Sequence, residues 1–126
     1  MRPISLATVG FLTTITAMAA QPQKPDRVWA APSVVESRRS ALANEPEILA
    51  GGKKVFHQRC AVCHGEDGTG GNRGPNLMTA RVQRQSDGAL FWKISSGNTR
   101  TGMPGFSFLP EAQRWQLVLH LRAEAK

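Results

Sequence analysis

Two cysteines separated by two residues, with a histidine directly behind the second, constrain this chain more than any other feature: Cys60-Ala61-Val62-Cys63-His64. Each thiol can add across one vinyl group of a protoporphyrin, and two intervening residues set the sulfurs to match the separation of the two vinyls. His64 then lies under the ring, where an imidazole nitrogen can reach the iron. The run points to one covalently attached haem c, with Cys60 and Cys63 as thioether donors and His64 as an axial ligand. Two other readings stay open at the level of the motif. A redox-active dithiol would want a βαβ surrounding, and none is visible. A tetrahedral zinc site would have to draw four ligands from two cysteines and His57, His64 and His120, without a second ligand pair at short spacing.

The rest of the chain frames that motif. At 126 residues it has room for one domain with extensions. Cys60 and Cys63 are the only cysteines, so no disulfide framework supports the fold. Residues 1–20 read as a secretory signal: Arg2 is the positive start, Ile4 to Ala20 is mostly apolar, and Ala17 to Ala20 offers small residues for cleavage. The competing reading is an uncleaved membrane anchor, but a span needs about 20 strongly apolar residues, and Ser5, Thr8, Thr13, Thr14 and Thr16 dilute this stretch. Both place the remainder outside the cytoplasm, periplasmic or membrane-anchored, the side on which c-type haem is attached. Residues 21–43, with Pro22, Pro25 and Pro32, read as a tether. Trp29 is its exception, either packed on the domain or marking a docking site.

Sixteen basic against nine acidic residues give a net charge of +7, lowered by one if Arg2 leaves with the signal. The basic residues (Lys53, Lys54, Arg59, Arg73, Arg81, Arg84, Arg100) are scattered, without the basic runs interleaved with aromatics that a nucleic-acid surface would want. A basic face around a haem edge suits an acidic redox partner, steering its approach; the plainer reading is a soluble surface.

Periodicity puts the domain at residues 44–126 and makes it all-α. Asn44 and Glu47 have capping-box spacing with Pro46 in the first turn. Ile48, Leu49, Gly52, Val55, Phe56 and Cys60 then form one apolar stripe that delivers Cys60 to the haem. Gly65, Gly68, Gly70, Gly71 and Gly74 mark an irregular loop. A second helix covers Ser86 to Ser96 with Leu90, Phe91 and Ile94 inward and Gly97 as its stop. A last helix runs from Pro110 to Ala123, its broad apolar face made by Trp115, Leu117, Val118, Leu119 and Leu121.

Over Pro46 to Arg122 the chain resembles the class I monohaem cytochromes c of exported bacterial type. Four features match in order: Gly52 and Phe56, the Cys60 to His64 run, Gly74-Pro75-Asn76-Leu77, and Gly102-Met103-Pro104. The resemblance implies the cytochrome c fold and a second axial ligand at Met103, 39 residues beyond His64. Pro104 would favour an extended Met103. Met78 is the competing methionine, and could instead pack on the ring edge. Pro75 would offer its carbonyl to the far nitrogen of His64, fixing the tautomer and raising the basicity of the ligand. Gly52 and Phe56 would meet the last helix near Leu117.

The chain departs from the family at His120, where relatives place an aromatic. His120 reads as a core residue bonded to a carbonyl, with a ligand switch as the other reading. Trp92, Asn98, Arg81 and Arg100 are candidate contacts to the haem propionates or pocket. Closed on both faces by His64 and Met103, the iron would be left with one-electron exchange. The expected function is therefore an electron carrier, not an enzyme, between redox donor and acceptor proteins, free or as a subunit of an oxidoreductase complex. The alternative is a haem enzyme or sensor with a labile sixth ligand.

Overall fold

The computed structural model describes residues 29–71 and 73–126. The expected signal over 1–20 and the tether residues 21–28 lie outside the described residues. Helices are the regular elements: α1 (Ser33–Glu36), α2 (Pro46–Arg59), α3 (Ala61–His64), α4 (Ala80–Gln83), α5 (Asp87–Ser96) and α6 (Glu111–Glu124), with a 3-10 turn at Thr99–Thr101. The all-α expectation holds: the closest approach to a strand among the described residues is an isolated antiparallel bridge between Asn98 and Met103. None of their helices is long and apolar enough to cross a membrane.

The long helices sit where the apolar spacing puts them, with corrections at their starts. α2 begins at Pro46 with Glu45, not Asn44, as its N-cap, and no side chain caps it. A residue before proline is driven out of the helical region; Glu45 is accordingly extended (φ −89°, ψ 151°), so the helix cannot start a residue earlier. Pro110 likewise precedes α6 in extended form (ψ 144°). α5 has the expected caps, the Ser86 hydroxyl accepting from Ala89 N at 3.1 Å and Gly97 ending it at φ 65°.

The pair α2 and α6 forms the spine. They cross at Gly52, where an added Cβ would lie 2.1 Å from the Gln116 carbonyl oxygen and 2.8 Å from His120 Cβ, so only a residue without a side chain lets the backbones approach this closely. Phe56, Val55, Leu117 and Leu121 fill the space beside the crossing together with Ala61, Phe106 and Leu109. A second cluster joins α5 to α6 through Leu90, Phe91, Trp115 and Val118; the Phe91 and Trp115 rings stack at 4.2 Å. Arg122 reaches back from α6 to Asp87 Oδ1 (2.9 Å) and Gln83 O (2.6 Å), tying down the α4–α5 connection.

The last tether residues do not hang free. Gly88 of α5 lies against α1 so closely that a Cβ there would come within 1.9 Å of Val35 O. Arg38 pairs with Glu111 at 2.9 Å and lies over the Phe91 ring at 4.7 Å. Pro32, which read as a helix breaker, is the N-cap from which α1 starts, because a proline ahead of a helix forfeits no hydrogen bond.

Candidate functional site

The motif occupies the corner where α2 stops. Cys60 ends α2 and caps α3, and the single turn of α3 is closed by His64 N donating to Cys60 O at 2.9 Å. Both thiols are half-buried and free, and His64 is buried, 8% exposed. The glycine loop then folds back under the histidine: Gly70 N donates to His64 O (2.8 Å) and Gly74 N to Cys63 O (2.9 Å). A Cβ on Gly74 would lie 2.8 Å from both Cys63 O and His64 Nδ1. That close approach brings the next residue's carbonyl to the ring, and His64 Nδ1 lies 2.9 Å from Pro75 O. A carbonyl can only accept, so Nδ1 carries the proton and Nε2 is left with its lone pair.

Cys60, Cys63, His64 and Pro75 share one cleft of about 1470 Å³ with Met103, larger than the roughly 300–1,000 Å³ of ordinary small-molecule sites. Its floor is apolar, built by Phe56, Leu90, Ile94, Phe106, Leu117 and Leu121. Met103 arrives on a six-residue loop pinched at its neck, Asn98 N to Met103 O at 2.9 Å and Met103 N to Asn98 O at 3.0 Å, with Gly102 left-handed at φ 87°. Met78, the competing methionine, is not among the described residues that line the cleft; it packs against the core, its methyl beside Gly68.

Of the expected pocket contacts, Asn98 and Arg81 are on the cleft wall and Trp92 and Arg100 are not. α5 and its N-cap Ser86 turn Ser86, Ala89, Leu90, Lys93 and Ile94 to the cleft, a three- and four-residue stripe that leaves Trp92 on the flank. Arg100 sits exposed in the 3-10 turn. Lys93, which belongs to no motif, takes the wall position; its three-residue spacing from Leu90 is the sequence signal for it. Burial lowers the pKa of Lys93, Arg81 lowers it further, and Glu36 partly opposes them. Arg59, Arg73 and Arg84 add cations to the same lining. Trp29, Ala30, Ala31 and Glu36 also reach it, a contribution hidden in sequence by their distance from the motif.

His120 is on the other side of Phe56, their rings 5.3 Å apart, and is not among the residues lining the cleft. Its Nδ1 faces the Glu124 carboxylate at 3.8 Å, where a carbonyl partner was expected, because α6 carries Glu124 one turn further along the same face.

The site tells against both rivals of haem attachment. Burial, with a smaller contribution from Cys63, pushes the Cys60 thiol up to about 12; a thiol held protonated is a poor nucleophile for disulfide exchange. No group of three or more metal-ligating side chains is assembled among the described residues, so the tetrahedral alternative lacks its ligands. A large apolar cleft with two thiols and a Nδ1-protonated histidine at one side, a methionine on its wall and cations around it does fit a haem with two carboxylates.

A family model described as "Cytochrome C oxidase, cbb3-type, subunit III" matches residues 47–121. The chain is also 42% identical over 43 residues to the cbb3-type cytochrome c oxidase subunit CcoP of Rubrivivax gelatinosus. That alignment covers 34% of this chain and 14% of the relative's length.

Proposed function

The chain belongs to the cytochrome c family typified by subunit III of cbb3-type oxidases, a family of haem c electron-transfer proteins, and from that premise we propose that it is a one-electron carrier with a single haem held by Cys60 and Cys63 and ligated by His64 and Met103. When bound, the group supplies a reversible one-electron change at iron. The observation that carries the reading is the placement of His64 and Met103 on one cleft, with His64 Nδ1 2.9 Å from Pro75 O.

Each residue has a definite task in this reading. Pro75 O accepts the Nδ1 proton, which holds the imidazole in one tautomer and makes Nε2 a stronger donor. Phe56, Leu90, Ile94, Phe106, Leu117 and Leu121 exclude water. A dry wall and a thioether ligand both favour the less charged, reduced state and raise the potential. Arg81 and Lys93, both on the cleft lining, would meet the propionates. His64 and Met103 would hold the iron from the two chain segments that line the cleft, so little would have to move during transfer.

The partners are redox proteins. The cations on the cleft lining and the exposed Val62 (77%) and Phe108 (65%) suit a small, short-lived interface with an acidic donor or acceptor. The similarity to a cbb3-type cytochrome c oxidase subunit of Rubrivivax supports a partner within such an oxidase complex. Export through the 1–20 leader would put the domain in the periplasm, where such partners are reached.

The ferric absorption spectrum of the haem-loaded protein tests the ligand set. The weak far-red sulfur-to-iron band should be present in the native chain and lost in Met103→Ala, which should also gain ready carbon monoxide binding when reduced and show a lower potential. A native protein that lacks the band and binds carbon monoxide readily would instead be a haem enzyme or sensor.

A further inference from the structure

Sequence distance separates Trp29 from everything else in the site, yet its indole Nε1 donates to Gly97 O at 3.2 Å, across 68 residues. Gly97 is the outer end of the neck that closes the Met103 loop. A Cβ on Gly97 would lie 2.4 Å from Pro104 C and Gly105 N, and one on Gly105 would lie 2.9 Å from Ser95 O and Ser96 O. The chain leaving α5 and the chain leaving Met103 are therefore in backbone contact. Directly inside this contact are the two Asn98–Met103 hydrogen bonds, and beyond it Phe106 N donates to Ile94 O at 2.9 Å.

Trp29 has a second contact, and the segment that follows it is fixed to the domain. Lys93 Nζ sits 4.8 Å from the centre of its ring, a cation–π contact on the cleft wall. Downstream, α1 is fixed by the Val35–Gly88 approach and the segment by the Arg38–Glu111 pair. The segment from Trp29 to Arg38 is thus a strap whose one end is anchored on α5 and α6 and whose other end is bonded to Gly97 beside the Met103 neck.

We propose that Trp29 is a positioning residue for the sixth iron ligand: by donating to Gly97 O it keeps the neck of the Met103 loop shut and so keeps the methionine sulfur on the metal. The inference rests on the assignment of Met103 as ligand. Methionine is a neutral, weak ligand, and an outside ligand can bind only while the loop is open, so its apparent affinity scales with the open fraction. Loss of one hydrogen bond of usual strength multiplies that fraction by about two- to tenfold.

The experiment uses the full haem-loaded chain in the ferric state, with imidazole as the competing ligand. Trp29→Ala should weaken the far-red band, tighten imidazole binding about two- to tenfold, and raise the saturating rate of imidazole binding, which reports loop opening. Trp29→Phe, which keeps a ring for Lys93 but has no N–H, should behave like Trp29→Ala if the hydrogen bond carries the effect. Val34→Ala, on the same strap but 78% exposed, should match the native protein. Thermal melting of each variant separates general loosening from a change at the loop, because only the latter moves the saturating rate at temperatures well below the transition. A native band with Trp29→Ala indistinguishable from native in imidazole affinity and saturating rate would overturn the inference alone. Absence of the band from the native protein would overturn the Met103 assignment and the inference with it.

Discussion

Single side chains in this protein act through what burial does to them, and His120 is the clearest case. It is 5% exposed, and desolvation lowers its pKa, with His57 and Lys53 adding to the shift and Glu124 opposing it. A base whose pKa is lower folded than unfolded takes up protons more readily when unfolded. Its contribution to stability is therefore full above the ordinary histidine value of about 6.5 and is lost as pH falls below it. Melting temperature should drop between neutral and mildly acidic pH, and the drop should be smaller in His120→Phe, which keeps a ring against Phe56. Equal drops in the two proteins would assign the acid sensitivity elsewhere. His120 was legible in sequence on both counts: its burial from the apolar stripe of α6, and its partner from Glu124 four residues on, which helical spacing brings to the same face.

Among the elements, the crossing of α2 and α6 carries the most structural consequence. Gly52→Ala places a methyl 2.1 Å from the Gln116 carbonyl, which cannot move without displacing α6. Overpacking of this kind costs about 1–3 kcal/mol, so the guanidinium midpoint of the haem-loaded variant should fall accordingly. An unchanged midpoint would mean that the helices can slide apart without loss. Helix positions were legible from three- and four-residue spacing, because that pattern is written along each segment. α2 starts one residue later than the capping-box spacing at Asn44 predicts, since that pattern yields to the steric demand of Pro46 on Glu45. α1 and α4 leave no signal in the sequence for a different reason. Each is one turn long, and so short a helix is stabilised by what it packs on rather than by its own sequence.

At the scale of the whole molecule the cleft and the core are the same surface. Phe56, Phe106, Leu117 and Leu121 belong both to the main cluster and to the cleft lining, so a haem in that cleft completes the core. A domain of about 80 residues rarely gains more than roughly 3–5 kcal/mol from side-chain burial alone. Replacing Cys60 and Cys63 together by alanine should thus yield a largely unfolded, haem-free chain by far-UV circular dichroism. A cooperative, helical apoprotein would show that the helices stand without the cofactor. By itself the sequence determined the cofactor class, the family and the helical architecture, because thioether spacing, glycine–proline signatures and apolar periodicity are local and survive without coordinates. Only the tertiary structure decided which residues wall the cleft: Lys93 rather than Trp92, Arg81 rather than Arg100, and Trp29 from the far end of the strap. Those choices depend on how α5 is rotated and on where the N-terminal segment docks, and both are settled by packing between residues dozens of positions apart.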